Sequence, residues 1–480
     1  MRLFKDVVRN QQFISGIWRP GQSDEALKVM DPYTGEMLAE IPFADGQQVE
    51  SAIQGAVKGF EVFRKWSAGK RADHLRRLYE LLFNRKAAFA DLIVAEAGKP
   101  LAYARIEVDR ALDTLDTAAR ECLHFAGEVV PMDYKNGEGR TAYTARFPIG
   151  PVTAISPFNF PLNLVLHKLA PAFAVGCPVV LKPAPQAPLT ALAFAALVEE
   201  AGYPAGALSV LICANSQAEL LVRDSRIRFL SFTGSPAVGW KLREMAGPKR
   251  VLLELGGNAA LIVDETADLD HAALAIAKGG YLYAGQVCIS TQRVYVVAPV
   301  FEALKEKLLV AIAQVRTGDP RLEGTVCGPM IDSAHGHRIQ AWVNEAVAQG
   351  AEVLAGGNFA DVSKNLFAPT LLTHTLPEMK VVAEEVFGPV VIMEKVPDFQ
   401  SALQAANASR FGLQAGVFTN RMDHVLLAHQ TLEVGAVIIN QAPGFRIDSM
   451  PYGGVKASGL GREGVRYAME AMTEPRLLVY

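Results

Sequence analysis

Val152-Thr153-Ala154-Ile155-Ser156-Pro157-Phe158-Asn159-Phe160-Pro161 decides the fold. Its first four residues make a buried strand, and the prolines that follow stop that strand in a loop. A helix then runs to about residue 175, the next strand is 178–181, and Lys182-Pro183-Ala184-Pro185 leaves its end. The same beat continues with a helix over 189–201, a strand near 208–212, a helix near 216–223 and a strand at 228–232. Thr233-Gly234-Ser235-Pro236 closes the run and opens a helix through Gly239. Strands alternating with helices predict an α/β fold with an open, mostly parallel sheet. Ligands bind such sheets beyond the carboxyl ends of the strands, where Asn159, Lys182 and Gly234 fall.

Outward from this core the pattern changes twice. Upstream, 13–40 reads as short strands and turns, and helical spacing starts at Val49 with Ala52, Ala56, Phe60 and Phe63. Leu75, Leu78, Leu81 and Leu82 continue in a second helix, and a third long helix covers 101–120. Between that helix and the α/β run, 128–131 and 140–147 flank the turn Asn136-Gly137-Glu138-Gly139 and predict a hairpin that projects toward another subunit. Downstream, a second α/β run has strands at 259–263, 294–297 and 437–440, with helices over 269–283, 300–315 and up to 349. A glycine-rich loop spans 446–464, and 476–480 reads as a last strand available to a neighbour.

Two segments of the second run carry chemistry. Leu253-Glu254-Leu255-Gly256-Gly257-Asn258 places a carboxylate in a glycine-flanked turn, and Gly285-Gln286-Val287-Cys288-Ile289-Ser290 places a thiol among small and polar residues. Cysteine is a strong nucleophile, and a nearby carboxylate can activate water to release what the sulfur captures. A glutamate also caps turns, and a lone cysteine is commonly a small core residue, so the pair alone leaves both readings open.

Composition narrows the classes. A chain of 480 residues predicts two or three domains, and 50% hydrophobic with 20% charged residues fits a globular protein. A net charge of −3 offers no broad basic field, which argues against nucleic acid. Met1 to Asp6 lacks the apolar core of a secretory signal, and the greasy run 169–181 is short for a membrane span and broken by Pro171 and Pro178. Cys122, Cys177, Cys213, Cys288 and Cys327 are too scattered for a disulfide framework or a zinc site, so no metal is expected and a cytoplasmic setting is the simplest.

Taken in order, seven pieces of the chain resemble the aldehyde dehydrogenase superfamily: Pro157 to Pro161, Leu181-Lys182-Pro183, Phe232 to Ser235, Leu253 to Asn258, Gly285-Gln286-x-Cys288, Glu385-Val386-Phe387-Gly388-Pro389, and Pro451-Tyr452-Gly453-Gly454-x-Lys456-x-Ser458-Gly459. The resemblance implies a Rossmann-like NAD(P)-binding domain over 1–126 and 148–253, with 441–472 returning to it, and an α/β catalytic domain over 254–440. It also implies a small β oligomerisation element, 127–147 with 473–480, in a homodimer or homotetramer. In such a site Cys288 attacks the aldehyde, and Asn159 with the Cys288 backbone N–H holds the oxyanion. Hydride leaves to the nicotinamide, and Glu254 activates water to hydrolyse the thioester. Members that pass the acyl group to coenzyme A lack this glutamate, so the resemblance is to the non-acylating, hydrolytic type. Glu385 and Phe387 would hold the nicotinamide end, and Lys182 the adenosine ribose. Ser156, Pro157, Phe158, Phe232, Thr233, Gly234, Ser235, Leu255 and Gly256 would line the dinucleotide path, with the pyrophosphate at a helix N-terminus.

One departure concerns the cofactor. Many NAD-preferring members carry a glutamate three residues beyond the lysine; here that position is Pro185, which permits NADP beside NAD. For the substrate, His167, Arg110 and Arg446 are the candidates, and they suggest a small polar or anionic aldehyde, including a succinate-semialdehyde type. A histidine on a helix is more often a satisfied structural residue, and an arginine more often a surface ion pair. A cysteine hydrolase or esterase on the same residues is the alternative from another class.

Overall fold

A computed structural model describes residues 9–480; Met1 to Asp6, considered for a targeting signal, lies outside the described residues. Two large sheets dominate. The first has eight strands in the order Ile17–Arg19, Gln12–Ile14, Leu208–Val210, Val179–Lys182, Val152–Ile155, Phe229–Thr233, Arg250–Glu254 and Gly459–Leu460. Its five central strands are parallel, and the outer pairings are antiparallel. From Val152–Ile155 the chain winds outward one way to Leu208–Val210, then crosses to Phe229–Thr233 on the other side. That reversal is a topological switch point, where the loops beyond the strands part and leave a crevice. Register puts Lys182 beside Ile155, Ile155 beside Phe232 and Thr233 beside Glu254, so the carboxyl ends of four strands share one rim.

The second sheet has seven strands: Glu352–Ala355, Thr370–Thr373, Val390–Val396, Arg293–Val297, Ala260–Val263, Gln414–Phe418 and Ala436–Ile439, parallel but for the first. Only the five residues 255–259 separate the Arg250–Glu254 strand of one sheet from the Ala260–Val263 strand of the other. Glu254 therefore stands on the seam between the sheets. The chain returns to the first sheet late, when Gly459 and Leu460 pair with Glu254 and Leu253.

The helices show what periodicity could and could not predict. Gly46–Phe63 is amphipathic and begins in a capping box between Asp45 and Gln48. Lys86–Ala97 went unread in the sequence because its outward side carries alanines beside Lys86 and Asp91 and so shows little polar contrast to the buried Phe89, Leu92, Ile93 and Val94. The expected helix over 101–120 extends to Leu101–His124. Asn163–Val175 is buried along its whole length, polar Asn163, His167 and Lys168 included, so those three must find partners inside the protein.

A third, small sheet orders Thr473–Val479, Ala142–Pro148 and Val129–Val130, all antiparallel. The last strand, expected to wait for a neighbour, finds its partner within the chain: the residues from Thr473 to Val479 pair in register with those from Pro148 back to Ala142. Val129, Leu477, Leu478 and Tyr480 remain exposed on this sheet.

Candidate active site

Cys288 follows a tight left-handed turn. Tyr283, Ala284 and Gly285 have φ of 52°, 52° and 66°, and a Cβ on Gly285 would lie 2.1 Å from the Gly388 carbonyl oxygen. Each non-glycine residue in this region costs about 1–2 kcal/mol, so buried contacts must hold the turn. The Tyr283 hydroxyl donates to the Ala97 carbonyl at 2.7 Å, and its backbone N–H to Val326 at 3.0 Å. Gln286 reaches the Tyr283 and Pro329 carbonyls with its amide nitrogen and accepts from the Ile331 N–H. The Asn159 amide donates to the Gln286 carbonyl at 2.9 Å, which brings the loop after Val152–Ile155 against the loop of the thiol. The two segments are 129 residues apart in sequence, and only the fold joins them.

The Cys288 sulfur lies 3.1 Å from the Tyr452 hydroxyl. Burial pushes the thiol up to about 12; Tyr452 and Arg446 pull the other way, and the carboxyls of Glu385 and Glu254 add to the rise. Glu254 is buried with both carboxyl oxygens lacking a hydrogen-bond partner. Burial, reinforced by the negative charge of Glu463, holds its carboxyl well above the usual range. A Cβ on Gly453 would come within 2.8 Å of a Glu254 oxygen, so glycine there leaves room for the carboxyl.

A cavity of about 570 Å³ opens over the rim of the first sheet. All thirteen residues expected at a dinucleotide line it: Ser156, Pro157, Phe158, Lys182, Pro185, Phe232, Thr233, Gly234, Ser235, Leu255, Gly256, Glu385 and Phe387. Cys288, Glu254 and Asn159 form its inner end. Glu385 accepts from the Gly257 N–H at 3.0 Å, and burial raises its carboxyl to about 7. A Cβ on Gly256 would collide with it at 2.1 Å. Lys182 is buried, which lowers its ammonium, and among the described residues it makes no side-chain hydrogen bond. Pro236–Met245 begins at this cavity with Ser235 as an N-cap whose side chain caps nothing, leaving its first N–H groups available to an anion.

A second cavity of about 370 Å³ reaches Cys288 and Glu254 from the other side. Arg110 and Arg446 line it; His167 does not. His167 lies behind the wall, buried, with Nε2 2.7 Å from Asp448 Oδ1. Burial first, then the charge of Arg446, lowers its imidazole, while Asp448 pulls the other way. The candidates converge on one carboxylate: Arg110 forks onto Asp448 at 2.7 and 3.0 Å, and Asn163 adds a contact at 3.3 Å. Burial would raise Asp448, but His167 and Arg110 hold it far below the usual range. Arg446 is buried, 3.4 Å from Glu463 and 3.3 Å from the His167 ring, and its Nε makes no hydrogen bond but lies 3.9 Å from Asp448 Oδ1. Its guanidinium lies 3.6 Å over the Tyr452 ring. Lys168 bonds the other Glu463 oxygen at 3.1 Å and Thr233 at 2.6 Å.

Sequence reading missed Tyr452, Asp448, Glu463 and Lys168. The first three sit in the glycine-rich loop 446–464, which periodicity cannot place, and Lys168 lies on a helix whose burial hides its direction. A charged residue inside an otherwise apolar helix was the one available signal.

Comparison with known proteins gives the family and the fold. The model of the aldehyde dehydrogenase family matches residues 18–478. A 3-sulfolactaldehyde dehydrogenase of Priestia aryabhattai is 41% identical over 469 residues, 97% of each chain. The crystal structure of aldehyde dehydrogenase 21 from Physcomitrella patens, in complex with the reaction product succinate, superposes with a TM-score of 0.94 at 39% identity and covers 98% of each chain. An NADP-dependent glyceraldehyde-3-phosphate dehydrogenase from Bacillus halodurans, complexed with NADP, has a TM-score of 0.94 at 35% identity, again over 98% of each chain.

Proposed function

We propose that this chain, which belongs to the aldehyde dehydrogenase family, takes a short anionic aldehyde as its substrate. The enzyme is an NAD(P)-dependent aldehyde dehydrogenase, so the reaction oxidises an aldehyde to its carboxylic acid. The observation that carries the substrate reading is the pair of guanidinium groups, Arg110 and Arg446, in the wall of the second cavity that also reaches Cys288. A carboxylate, sulfonate or phosphate on the substrate would pair with these cations. Acids of this kind stand in the names of the similar proteins: 3-sulfolactaldehyde for one relative, succinate for one structure.

The residues divide the work as follows. Cys288, once deprotonated, attacks the aldehyde carbon to give a thiohemiacetal. The Asn159 amide, already beside the thiol loop, and the Cys288 N–H face the alkoxide, a pair of donors of the kind worth about 10²–10³ in rate each. Lys182, Glu385, Gly256 and the Pro236–Met245 helix start fit a dinucleotide: a free buried ammonium, a fixed carboxylate, a cradle without a Cβ, and uncapped N–H groups. When bound, NAD(P)+ supplies the hydride acceptor for the oxidation. Glu254 then takes a proton from water, and the hydroxide equivalent opens the thioester and frees the acid. Pro185 puts no carboxylate at its own position in the cavity wall, so both NAD and NADP are expected to work.

Residues 1–126, 148–253 and 441–472 are assigned to the cofactor domain, 254–440 to the catalytic domain, and 127–147 with 473–480 to the oligomerisation element of a homodimer or homotetramer. Five free thiols fit a reducing cytoplasm. No helix among the described residues is long and apolar enough to cross a membrane. The test is a kinetic panel of anionic and neutral aldehydes of equal length with each cofactor, using Cys288→Ala as the blank. Arg446→Met should raise KM for the anionic members far more than for the neutral ones. Equal losses across the panel would refute the anionic substrate, and activity with NAD alone would refute the argument from Pro185. Ester hydrolysis without any NAD(P) reduction would favour the hydrolase alternative.

A further inference from the structure

The buried Tyr452 phenol has one hydrogen-bond partner among the described residues, the Cys288 sulfur at 3.1 Å, and the sulfur has no other. Buried phenols rarely lack a partner, so a partner that is also the reacting atom is informative. The tyrosine is pinned on every side. Its backbone N–H donates to the Glu463 carbonyl at 3.0 Å and its carbonyl accepts from Glu463 at 2.6 Å, and its ring packs with Ile289 and Leu413. The Arg446 guanidinium 3.6 Å over the ring draws electron density from the phenol and strengthens its O–H as a donor.

We propose that Tyr452 is a catalytic residue whose hydroxyl donates to the Cys288 thiolate, both when the thiol is deprotonated for attack and when the thioester is cleaved. In the first event the S–H bond breaks, the proton leaves to water in the cavity, and the electron pair stays on the sulfur facing the phenol O–H. In the second the C–S bond breaks, the pair again returns to the sulfur, and the same donor stabilises the leaving thiolate. Nothing is oxidised or reduced in either event, and Tyr452 keeps its proton throughout; burial sets that proton well above the usual range. The charged groups facing the sulfur are Arg446, which favours the thiolate, and Glu385 and Glu254, which oppose it when ionised. Among the described residues none of these hydrogen-bonds the sulfur; the phenol alone contacts it, and once the thiol is deprotonated only the phenol can donate. The inference rests on Cys288 being the nucleophile of the proposed function, and it is independent of which aldehyde is used.

The experiment needs neither aldehyde nor cofactor. The rate of Cys288 alkylation by iodoacetamide is followed against pH in the full chain, with Cys288→Ser as the blank for the four buried cysteines. Tyr452→Phe keeps the ring and removes the donor. Its alkylation midpoint should move upward by about one unit, with a rate at neutral pH about tenfold lower. An unchanged or lowered midpoint overturns the proposal. Should Tyr452→Phe fail to fold, the wild-type sequence carrying 3-fluorotyrosine, a stronger donor, should show a lowered midpoint; an unchanged or raised one overturns it. Loss of aldehyde selectivity in the kinetic panel with these shifts intact would sink the substrate reading alone.

Discussion

Glu254 holds two carboxyl oxygens without a hydrogen-bond partner inside the protein, an expensive arrangement that suits a group meant to meet water. Burial raises its proton affinity, so at low pH it is protonated and accepts nothing; its usefulness grows as pH rises through the raised pKa. Thioester hydrolysis should therefore accelerate toward alkaline pH in the native enzyme. Glu254→Gln should slow turnover about 10²–10⁴-fold and leave the acyl-enzyme to accumulate, visible as an added mass on Cys288 after a short pulse of substrate. Glu385 depends on a neighbour's missing atom. Gly256→Ala would drive a methyl into its carboxylate at 2.1 Å, and a several-fold higher KM for the dinucleotide in steady-state kinetics is the expected result.

At the scale of elements, the left-handed turn before Cys288 is the costliest piece of backbone at the site. Gly285→Ala sets a Cβ 2.1 Å from the Gly388 oxygen at a φ of 66°, and should lower stability by about 1–3 kcal/mol in urea unfolding. Elsewhere a helix is capped from a distance. Glu96 accepts from the Leu189 and Thr190 N–H groups at the start of Leu189–Glu200, and burial raises its carboxyl to about 7 from 4.5. A folded value above the unfolded one means that stability is fully present below about pH 4.5 and lost as pH climbs through about 7. Glu96→Gln should flatten that part of the Tm-against-pH curve.

For the whole molecule, the outer three-stranded sheet leaves Val129, Leu477, Leu478 and Tyr480 in solvent. An exposed apolar edge strand of this length invites pairing with another copy. Leu477→Glu with Leu478→Lys should shift sedimentation equilibrium toward the monomer; a sedimentation profile identical to the wild type would count against the proposed oligomerisation element.

The first sheet's parallel core was legible because its strands and helices alternate, whereas four strands of the second, Glu352–Ala355, Thr370–Thr373, Val390–Val396 and Gln414–Phe418, went unread. The thiol and carboxylate in glycine-rich turns left two readings open until the seven-piece resemblance was added. The helix Lys86–Ala97 was not legible, since alanines dilute its outer face and leave no clear apolar–polar period. What only tertiary structure decided is who meets whom. His167, read as a substrate contact, is turned behind the cavity wall by Asp448, 281 residues away, because a buried imidazole must satisfy its ring nitrogens locally. Arg110 is drawn to the same carboxylate, and Tyr452 reaches Cys288 from a loop 164 residues on. Sequence determines which groups are present and which elements carry them. The partners of buried charges follow from which elements pack together, because inside the protein each must find its counterpart in whatever segment the fold brings within about 3 Å.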